Sequence, residues 1–322
     1  MNNLNPGNRL EHFPVTFYSS VMGLTGFTLV LQKAEKLLAW DPMASTGMLY
    51  TTALIFLLIT ILYTAKLAFY FPSVKQEFSH PVRISFFPTF TISMLLLSTA
   101  SLAIAPAVSR ILWMAGAALH LIATLTILSM WIRQTKFEIS HYNPAWFIPI
   151  VGNILVPVAG VEHGFMEISW FFFSVGFVFW LSLFTIFLYR IVFHNPLPEK
   201  LLPTLFILLA PPALGMISLF KLTGSLLWPG KILYYFAIFL LMMLIVQLPM
   251  FLRIRFFLSW WAYSFPLAAV TIATTVMFQE TGEAIYRTLF FVLAAMLSAL
   301  ILVLLAQTIK AIAQGTICVK EE

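Results

Sequence analysis

Apolar runs separated by short polar segments fill almost the whole chain. A helix needs about 20 predominantly apolar residues to cross the hydrocarbon core of a bilayer. Ten runs reach or approach this length, and each is expected to form a transmembrane helix, although the fifth and ninth are short and weakly apolar. The expected spans are Val15–Leu38, Thr46–Tyr70, Ile84–Ala105, Ser109–Trp131, Trp146–Val161, Ile168–Phe193, Pro203–Leu222, Lys231–Leu252, Trp260–Phe278 and Tyr286–Ala313. The pattern predicts one transmembrane domain over residues 15–313, with short terminal segments at 1–14 and 314–322.

The odd-numbered spans differ in kind from the even-numbered ones. Each odd span carries a proline near its start, whereas the even spans carry no central proline. The five prolines are Pro14, Pro88, Pro149, Pro211 and Pro266. They are 74, 61, 62 and 55 residues apart, and small residues follow each one, among them Gly152 and Gly215. This regularity indicates an internal repeat of about 60 residues, in which each unit is one helical hairpin.

The prolines also predict how the hairpins are arranged. Proline removes one backbone N–H from a helix and bends it. Backbone groups freed in this way must be buried in protein or face water when they lie at membrane depth. The economical solution is an all-α integral membrane protein of ten helices in five hairpins. Its proline-bent odd helices would form an inner ring around a central pore, with the even helices outside.

Composition supports a membrane protein, and the charges predict its orientation. Hydrophobic residues make up 61% of the 322-residue chain and charged residues 9%, against about 25% charged residues in soluble domains. With the N-terminus inside the cell, twelve Lys and Arg fall on the inner side and six on the outer side. Cytoplasmic loops are enriched in Lys and Arg, so both termini are expected in the cytoplasm. The net charge of +6 therefore indicates topology and not a nucleic-acid partner.

The sequence offers no machinery for catalysis. It contains no HExxH, GxSxG or P-loop motif, and no pair of carboxylates lies within an expected span. The single cysteine, Cys318, excludes an internal disulfide and a cysteine-based metal site. Metal-assisted or covalent catalysis needs clusters of ligands or nucleophiles that are missing here. We expect neither an enzyme nor a bound cofactor or metal.

The expected pore lining is uncharged. A cation pathway would carry rings of Asp or Glu, but no odd span has an acid at its centre. The basic loops give a mildly positive field, which favours anions. Arg83 at the inner mouth and Lys221 at the outer mouth are candidates for attracting anions, and simple membrane anchoring is the alternative for both. His120, near the middle of the fourth span, is either a proton or anion site or a neutral histidine packed against a neighbouring helix.

Phe265 is the strongest single candidate for a functional residue. It directly precedes Pro266, and the bend expected there can turn its ring toward the pore axis. A bulky apolar ring would close a narrow neutral pore by steric exclusion and dewetting; the alternative is a packing role. Phe13 and Phe87 occupy matching positions in the repeat. The full set of expected pore-lining or bending positions is Phe13, Pro14, Phe87, Pro88, Pro149, Gly152, Pro211, Gly215, Phe265 and Pro266.

Four segments resemble a known family in the same order along the chain. They are residues 80–88 (HPVRISFFP), 143–153 (NPAWFIPIVGN), 210–215 (APPALG) and 260–266 (WWAYSFP). The sequence is similar to the family that contains plant guard-cell slow anion channels, bacterial TehA tellurite-resistance proteins and fungal malate permeases. The resemblance covers roughly Phe13 to Ala313. It implies a homotrimer in the bacterial inner membrane, one pore per subunit lined by the odd helices, and Phe265 as the residue that gates it.

The resemblance leaves the transported anion open, since the family includes both channels and carriers. The favoured function is a passive channel for chloride and nitrate. The alternative is a carrier for C4-dicarboxylates such as malate, or a transporter of a tellurite-related anion. A dicarboxylate carrier should present two fixed positive groups to match two carboxylates. No second Lys or Arg is visible near the centre of any odd span, which favours the channel.

Overall fold

The computed structural model describes residues 9–319, and all regular secondary structure in this part of the chain is helical. Residues 1–8 and 320–322 of the two expected terminal segments lie outside it. The α-helices are α1 (Tyr18–Leu38), α2 (Met43–Phe69), α3 (Phe71–Ser79), α4 (Thr89–Ser101), α5 (Pro106–Arg133), α6 (Ile148–Gly160), α7 (Met166–Phe193), α8 (Ala210–Thr223), α9 (Trp228–Val246), α10 (Leu248–Phe251), α11 (Ser264–Thr281) and α12 (Ala284–Ala313).

Many of these helices have the length and composition of membrane spans. Among the described residues, nine helical segments are long and apolar enough to cross a bilayer. A shorter apolar segment, Pro144–Gly160, coincides with the fifth expected span. The prediction of an all-helical, multi-pass membrane protein is confirmed.

The helices form two concentric layers. In the inner layer, α1 contacts α4, α4 contacts α6, α6 contacts α8, α8 contacts α11, and α11 returns to α1. Each inner helix also packs against the long helix that follows it in the chain, namely α2, α5, α7, α9 or α12. Burial distinguishes the two layers. In the most apolar 18 residues of each span, 83% are buried in the span that contains α4, but only 22% in α2. The outer helices therefore present the surface available to lipid.

Each inner α-helix begins after a stretch of 3₁₀-helix. The five stretches are Val15–Phe17, Arg83–Phe86, Pro144–Phe147, Glu199–Leu209 and Leu258–Tyr263. Neighbouring stretches contact each other at four of the five positions around the ring, so the inner helices run parallel and start together. We call this side of the molecule the 3₁₀ end, and the side at which α1, α8 and α11 finish the far end.

Four of the five repeated prolines lie where 3₁₀-helix changes to α-helix, and Pro14 lies directly before the first 3₁₀ stretch. Pro88 directly precedes α4, Pro149 and Pro211 lie in the first two residues of α6 and α8, and Pro266 is the third residue of α11. N–H groups in the first turn of an α-helix have no intrahelical partner, so proline costs nothing there. Pro88, Pro149, Pro211 and Pro266 therefore mark a change of helix type at the start of an inner α-helix.

A buried ion pair anchors the start of the first inner helix. Lys66 of α2 donates from Nζ to Glu77 Oε2 of α3 at 2.7 Å and to the carbonyl of Phe13 at 2.8 Å. Glu77 also accepts hydrogen bonds from the backbone N–H of Val15 at 2.8 Å and from the hydroxyl of Tyr63 at 3.1 Å. A lysine near the end of a membrane helix can extend its ammonium to the membrane surface. Lys66 does not, because Glu77 satisfies its charge inside the protein.

Candidate functional site

The middle of the inner ring carries no charge in the part of the chain that the structure describes. Charged residues of the inner α-helices lie only towards the far end: Lys33, Glu35 and Lys36 in α1, Lys221 in α8 and Glu280 in α11. Buried hydroxyls of the middle region donate to carbonyls of their own helix, as in Thr25 to Val21 and Thr271 to Leu267. The ring therefore encloses a neutral zone of membrane depth.

Phe265 lies in this neutral zone, in the first turn of α11. Its side chain is buried, and its ring approaches Gly26 of α1: a Cβ added to Gly26 would lie 3.4 Å from Phe265 Cδ2. Gly26 is the ninth of the 21 residues of α1, which places Phe265 near the middle of that helix. Gly23, one turn earlier, leaves room for Ser264. Close approach of two helices at small residues is the usual way in which membrane helices pack.

The two related phenylalanines are held differently. Phe13 stacks on Phe17 with ring centroids 4.6 Å apart. Phe87 packs edge-on against Phe78 of α3 and Tyr63 of α2. Within the described residues, Phe265 has no such aromatic partner. Aromatic pairs add about 0.5–1.5 kcal/mol beyond area burial, a contribution that Phe13 and Phe87 gain and Phe265 does not.

His120 joins three helices beside the ring. Its Nε2 donates to the carbonyl of Pro149 at 3.1 Å, and its Nδ1 lies 2.7 Å from the hydroxyl of Thr91. The Asn153 side chain also donates to the Pro149 carbonyl, at 3.0 Å. The histidine is fully buried between α4, α5 and α6. Of the two sequence-based readings of His120, this geometry favours a packed histidine that satisfies a carbonyl near the start of α6.

Gly152 and Gly215 lie between inner and outer helices. A Cβ on Gly152 would meet His120 of α5 at 2.2 Å, and one on Gly215 would meet Leu233 of α9 at 3.2 Å. At these two positions the lack of a side chain lets the inner helices approach the outer layer closely.

Replacing Gly152 with alanine is expected to lower the free energy of unfolding by about 1–3 kcal/mol, as overpacking does in a filled core. The added methyl cannot be placed without moving His120, which is itself fixed by two hydrogen bonds. Unfolding in detergent micelles, followed by tryptophan fluorescence, measures the change.

The His120→Ala substitution tests the origin of this loss. Gly152→Ala should lower the free energy of unfolding by a smaller amount in the His120→Ala background than in the wild-type protein. Gly47→Ala is the control, because Gly47 is exposed in α2 and a Cβ there meets nothing within 4 Å. Equal costs of Gly152→Ala in the two backgrounds would contradict a steric conflict with His120.

Charged groups at the two ends of the ring complete the site. Lys221, at the end of α8, forms a partly exposed ion pair with Glu162, which follows α6. This partner compensates the charge that was expected to attract anions at the outer mouth. Arg83 is partly buried at the 3₁₀ end, in the stretch that precedes α4. Sequence reasoning missed Glu162 as the partner of Lys221, because the two residues are 59 positions apart in the chain.

The described residues contain no group of three or more His, Cys, Asp or Glu that could hold a metal ion. The arrangement that remains is a ring of helices with a neutral middle that contains Phe265, and with charges at both ends. Such an arrangement is suited to passage of a small solute along the axis.

Comparison with known proteins identifies the family. The SLAC1 model, described as a voltage-dependent anion channel, matches residues 12–309, and the chain belongs to this family. It is 29% identical over 310 residues to the S-type anion channel SLAH3 of Arabidopsis thaliana, covering 93% of this chain but 48% of that protein. It therefore spans about half the length of this plant relative.

Two relatives of similar length come from microorganisms. The chain is 26% identical to the uncharacterized transporter MJ0762 of Methanocaldococcus jannaschii, over 95% of this chain and 96% of the relative. It is 23% identical to the tellurite resistance protein TehA homolog of Haemophilus influenzae, over 86% of each. The resemblance noted in the sequence is confirmed over nearly the whole chain.

Proposed function

We propose that this member of the voltage-dependent anion channel family is a channel that conducts chloride, nitrate and similar small monovalent anions along the axis of its inner ring. The observation that carries the proposal is the closed ring of five parallel helices whose middle is neutral and contains Phe265. Acidic rings, which select cations, are missing from the described inner helices, and Lys and Arg exceed Asp and Glu by six in the chain. The S-type anion channels among its relatives support the same class of solute.

The proposed pathway requires ten spans in five hairpins, with Pro144–Gly160 as the fifth. That segment is short, but every residue of α6 is buried. Because α6 is surrounded by protein and not by lipid, its length need not match the thickness of the bilayer. We place both termini in the cytoplasm of a bacterial cell, with the protein in the inner membrane. The guanidinium of Arg9 lies against Gly315, which supports a common side for the two termini. A homotrimer with one pathway per subunit is proposed from the family resemblance.

Phe265 is proposed as the gate of this pathway. Its burial in the neutral middle of the ring and its lack of an aromatic partner in the described structure support a ring that can close the path and move aside. Occlusion by an apolar side chain would act through steric exclusion and dewetting.

Anion replacement tests the proposal. The protein is reconstituted into planar bilayers, both as wild type and as Phe265→Ala, and currents are recorded in symmetrical and asymmetrical salt. Replacing chloride with gluconate on one side should abolish the current carried from that side, because gluconate is too large for the path. Nitrate should pass more easily than fluoride. Fluoride is more strongly hydrated, and the uncharged groups of the path compensate for little of the free energy needed to dehydrate it.

Two outcomes would contradict channel function of this kind. Equal permeability for nitrate and fluoride would show that dehydration does not limit passage. Saturable uptake of labelled malate by proteoliposomes, without anion current, would favour the dicarboxylate carrier instead.

A further inference from the structure

A cavity opens at the 3₁₀ end, where the chain leaves the outer helix α9 and returns to the inner layer. Its volume is about 530 Å³, and small-molecule sites span about 300–1,000 Å³. The lining comes from the start of the fourth 3₁₀ stretch and from the segment that contains α10. It consists of Glu199, Leu202, Pro249, Met250, Arg253 and Ile254. The cavity therefore lies where the two ends of the fourth hairpin meet.

Contacts on both sides hold the walls of this cavity in place. The backbone N–H of Arg255 donates to Glu199 Oε1 at 3.3 Å. Phe251 of α10 is buried and packs edge-on against Phe206, with ring centroids 5.3 Å apart. Phe206 packs in the same way against Tyr263, at 4.7 Å. The aromatic contacts and the hydrogen bond together fix the segment around α10 against the 3₁₀ stretch.

The cavity carries one charge of each sign. Glu199 and Arg253 are the two charged residues of its lining, and both are exposed. In the part of the chain that the structure describes, they do not form an ion pair with each other. Opposite charges that face one cavity without pairing are complementary to a ligand that itself carries both signs. Such a ligand would present an anionic group to Arg253 and a cationic group to Glu199.

Apolar groups surround these charges. The other four residues of the lining are apolar. Large apolar side chains are exposed at the end of α9 and beside α10, namely Ile245, Val246, Leu248 and Leu252. Because α9 is long and apolar enough to cross a bilayer and ends at Val246, this place lies at the membrane surface. It is the depth at which the head group of a lipid joins its acyl chains.

We propose that this cavity binds one phospholipid with an ethanolamine head group. The guanidinium of Arg253 binds the phosphate, the carboxylate of Glu199 binds the primary ammonium, and the acyl chains follow the exposed apolar side of α9. Guanidinium groups match the geometry of phosphate, and a primary ammonium donates hydrogen bonds to a carboxylate. The site lies outside the proposed anion pathway, so it does not depend on conduction.

The lining also distinguishes between head groups. Phosphatidylglycerol offers no cation to Glu199. The quaternary ammonium of choline has no N–H to donate and is typically bound by aromatic rings, whereas none of the six residues that line this cavity is aromatic. Ethanolamine is therefore the head group that satisfies both charges.

Native mass spectrometry of the protein in detergent micelles tests the site, with phosphatidylethanolamine and phosphatidylglycerol of identical acyl chains. The wild type should bind phosphatidylethanolamine with an about three- to tenfold lower Kd, as one additional charge-assisted hydrogen bond predicts. Glu199→Gln should remove this preference, and Arg253→Gln should weaken both lipids. Lys310→Gln is the matched control, because Lys310 is exposed at the end of α12 on the same side and loses the same charge. A preference that survives Glu199→Gln, or equal losses for Arg253→Gln and Lys310→Gln, would overturn the site.

The wild-type protein alone provides a second test. Lipids whose ethanolamine nitrogen carries one, two or three methyl groups keep the positive charge but lose N–H donors one by one. Affinity should fall most at the third methyl group, which removes the last donor, and constant affinity along the series would overturn the contact with Glu199. Soluble glycerophosphoethanolamine should not displace the lipid at equal concentration, since it lacks acyl chains. Equal displacement would show that the cavity binds a free head group and would overturn the assignment to a lipid.

Discussion

Phe265→Ala is expected to raise the chloride and nitrate conductance of the reconstituted protein by about tenfold or more, the change that follows from each 1.4 kcal/mol removed from a barrier. The side chain is buried beside Gly26 in the neutral middle of the ring. Alanine removes the ring but keeps the helix, since Pro266 and the start of α11 are unchanged. Currents in planar bilayers at matched protein density measure the effect.

Graded substitutions at Phe265 sharpen this test. Phe265→Leu should conduct less than Phe265→Ala, because leucine still fills part of the path, and Phe265→Trp should stay closed. Phe171→Ala is the matched control, since Phe171 is 51% exposed on the outer helix α7, where loss of a ring opens nothing. If a folded Phe265→Ala protein conducts no more than Phe171→Ala, Phe265 is a packing residue and does not gate the path.

Breaking the Lys66–Glu77 pair is expected to have the largest effect on stability. Glu77→Gln should lower the free energy of unfolding by about 3–5 kcal/mol, the cost of leaving one buried charge without its partner. The side chains of Lys66 and Glu77 are 4% and 5% exposed, so water cannot replace the lost carboxylate. Chemical unfolding in detergent micelles measures the difference.

The structural consequence of this break should be local to the start of α1. Glu77 binds the N–H of Val15, and Lys66 binds the carbonyl of Phe13, so the pair fixes the chain on both sides of Pro14. Glu162→Gln provides the comparison, because its pair with Lys221 is 46% and 33% exposed and exposed pairs contribute about 0–1 kcal/mol. Equal losses for Glu77→Gln and Glu162→Gln would show that the buried pair is not what anchors the helix.

The architecture could be predicted far better than the details of the candidate site. Span positions follow from hydropathy, and the alternation of two helix types follows from the spacing of five prolines. Both are local properties of the chain, readable without knowing which residues touch. The sequence also predicted a neutral inner lining, because the lack of acids in the middle of the odd spans does not depend on how those helices are rotated.

The sequence is less informative about which face of a helix a residue occupies. Gly152 and Gly215 lie close to His120 and Leu233 of the outer layer, and no pattern in the chain predicted these contacts. A helix with mostly apolar or small residues on every side gives no amphipathic signal for its rotation in lipid. The rotation is set by packing against neighbouring helices instead.

By itself, the sequence determined the helical membrane class, the repeated pairing of proline-bearing and uninterrupted spans, and the family. These depend on apolar length, proline position and motifs that are continuous in the chain. Only the tertiary structure decided that four of the five prolines lie where α-helices follow 3₁₀ stretches, that Glu77 satisfies Lys66, and that His120 joins α4, α5 and α6. Those outcomes depend on contacts between residues far apart in the chain, whose distances are fixed only when the ring of helices closes.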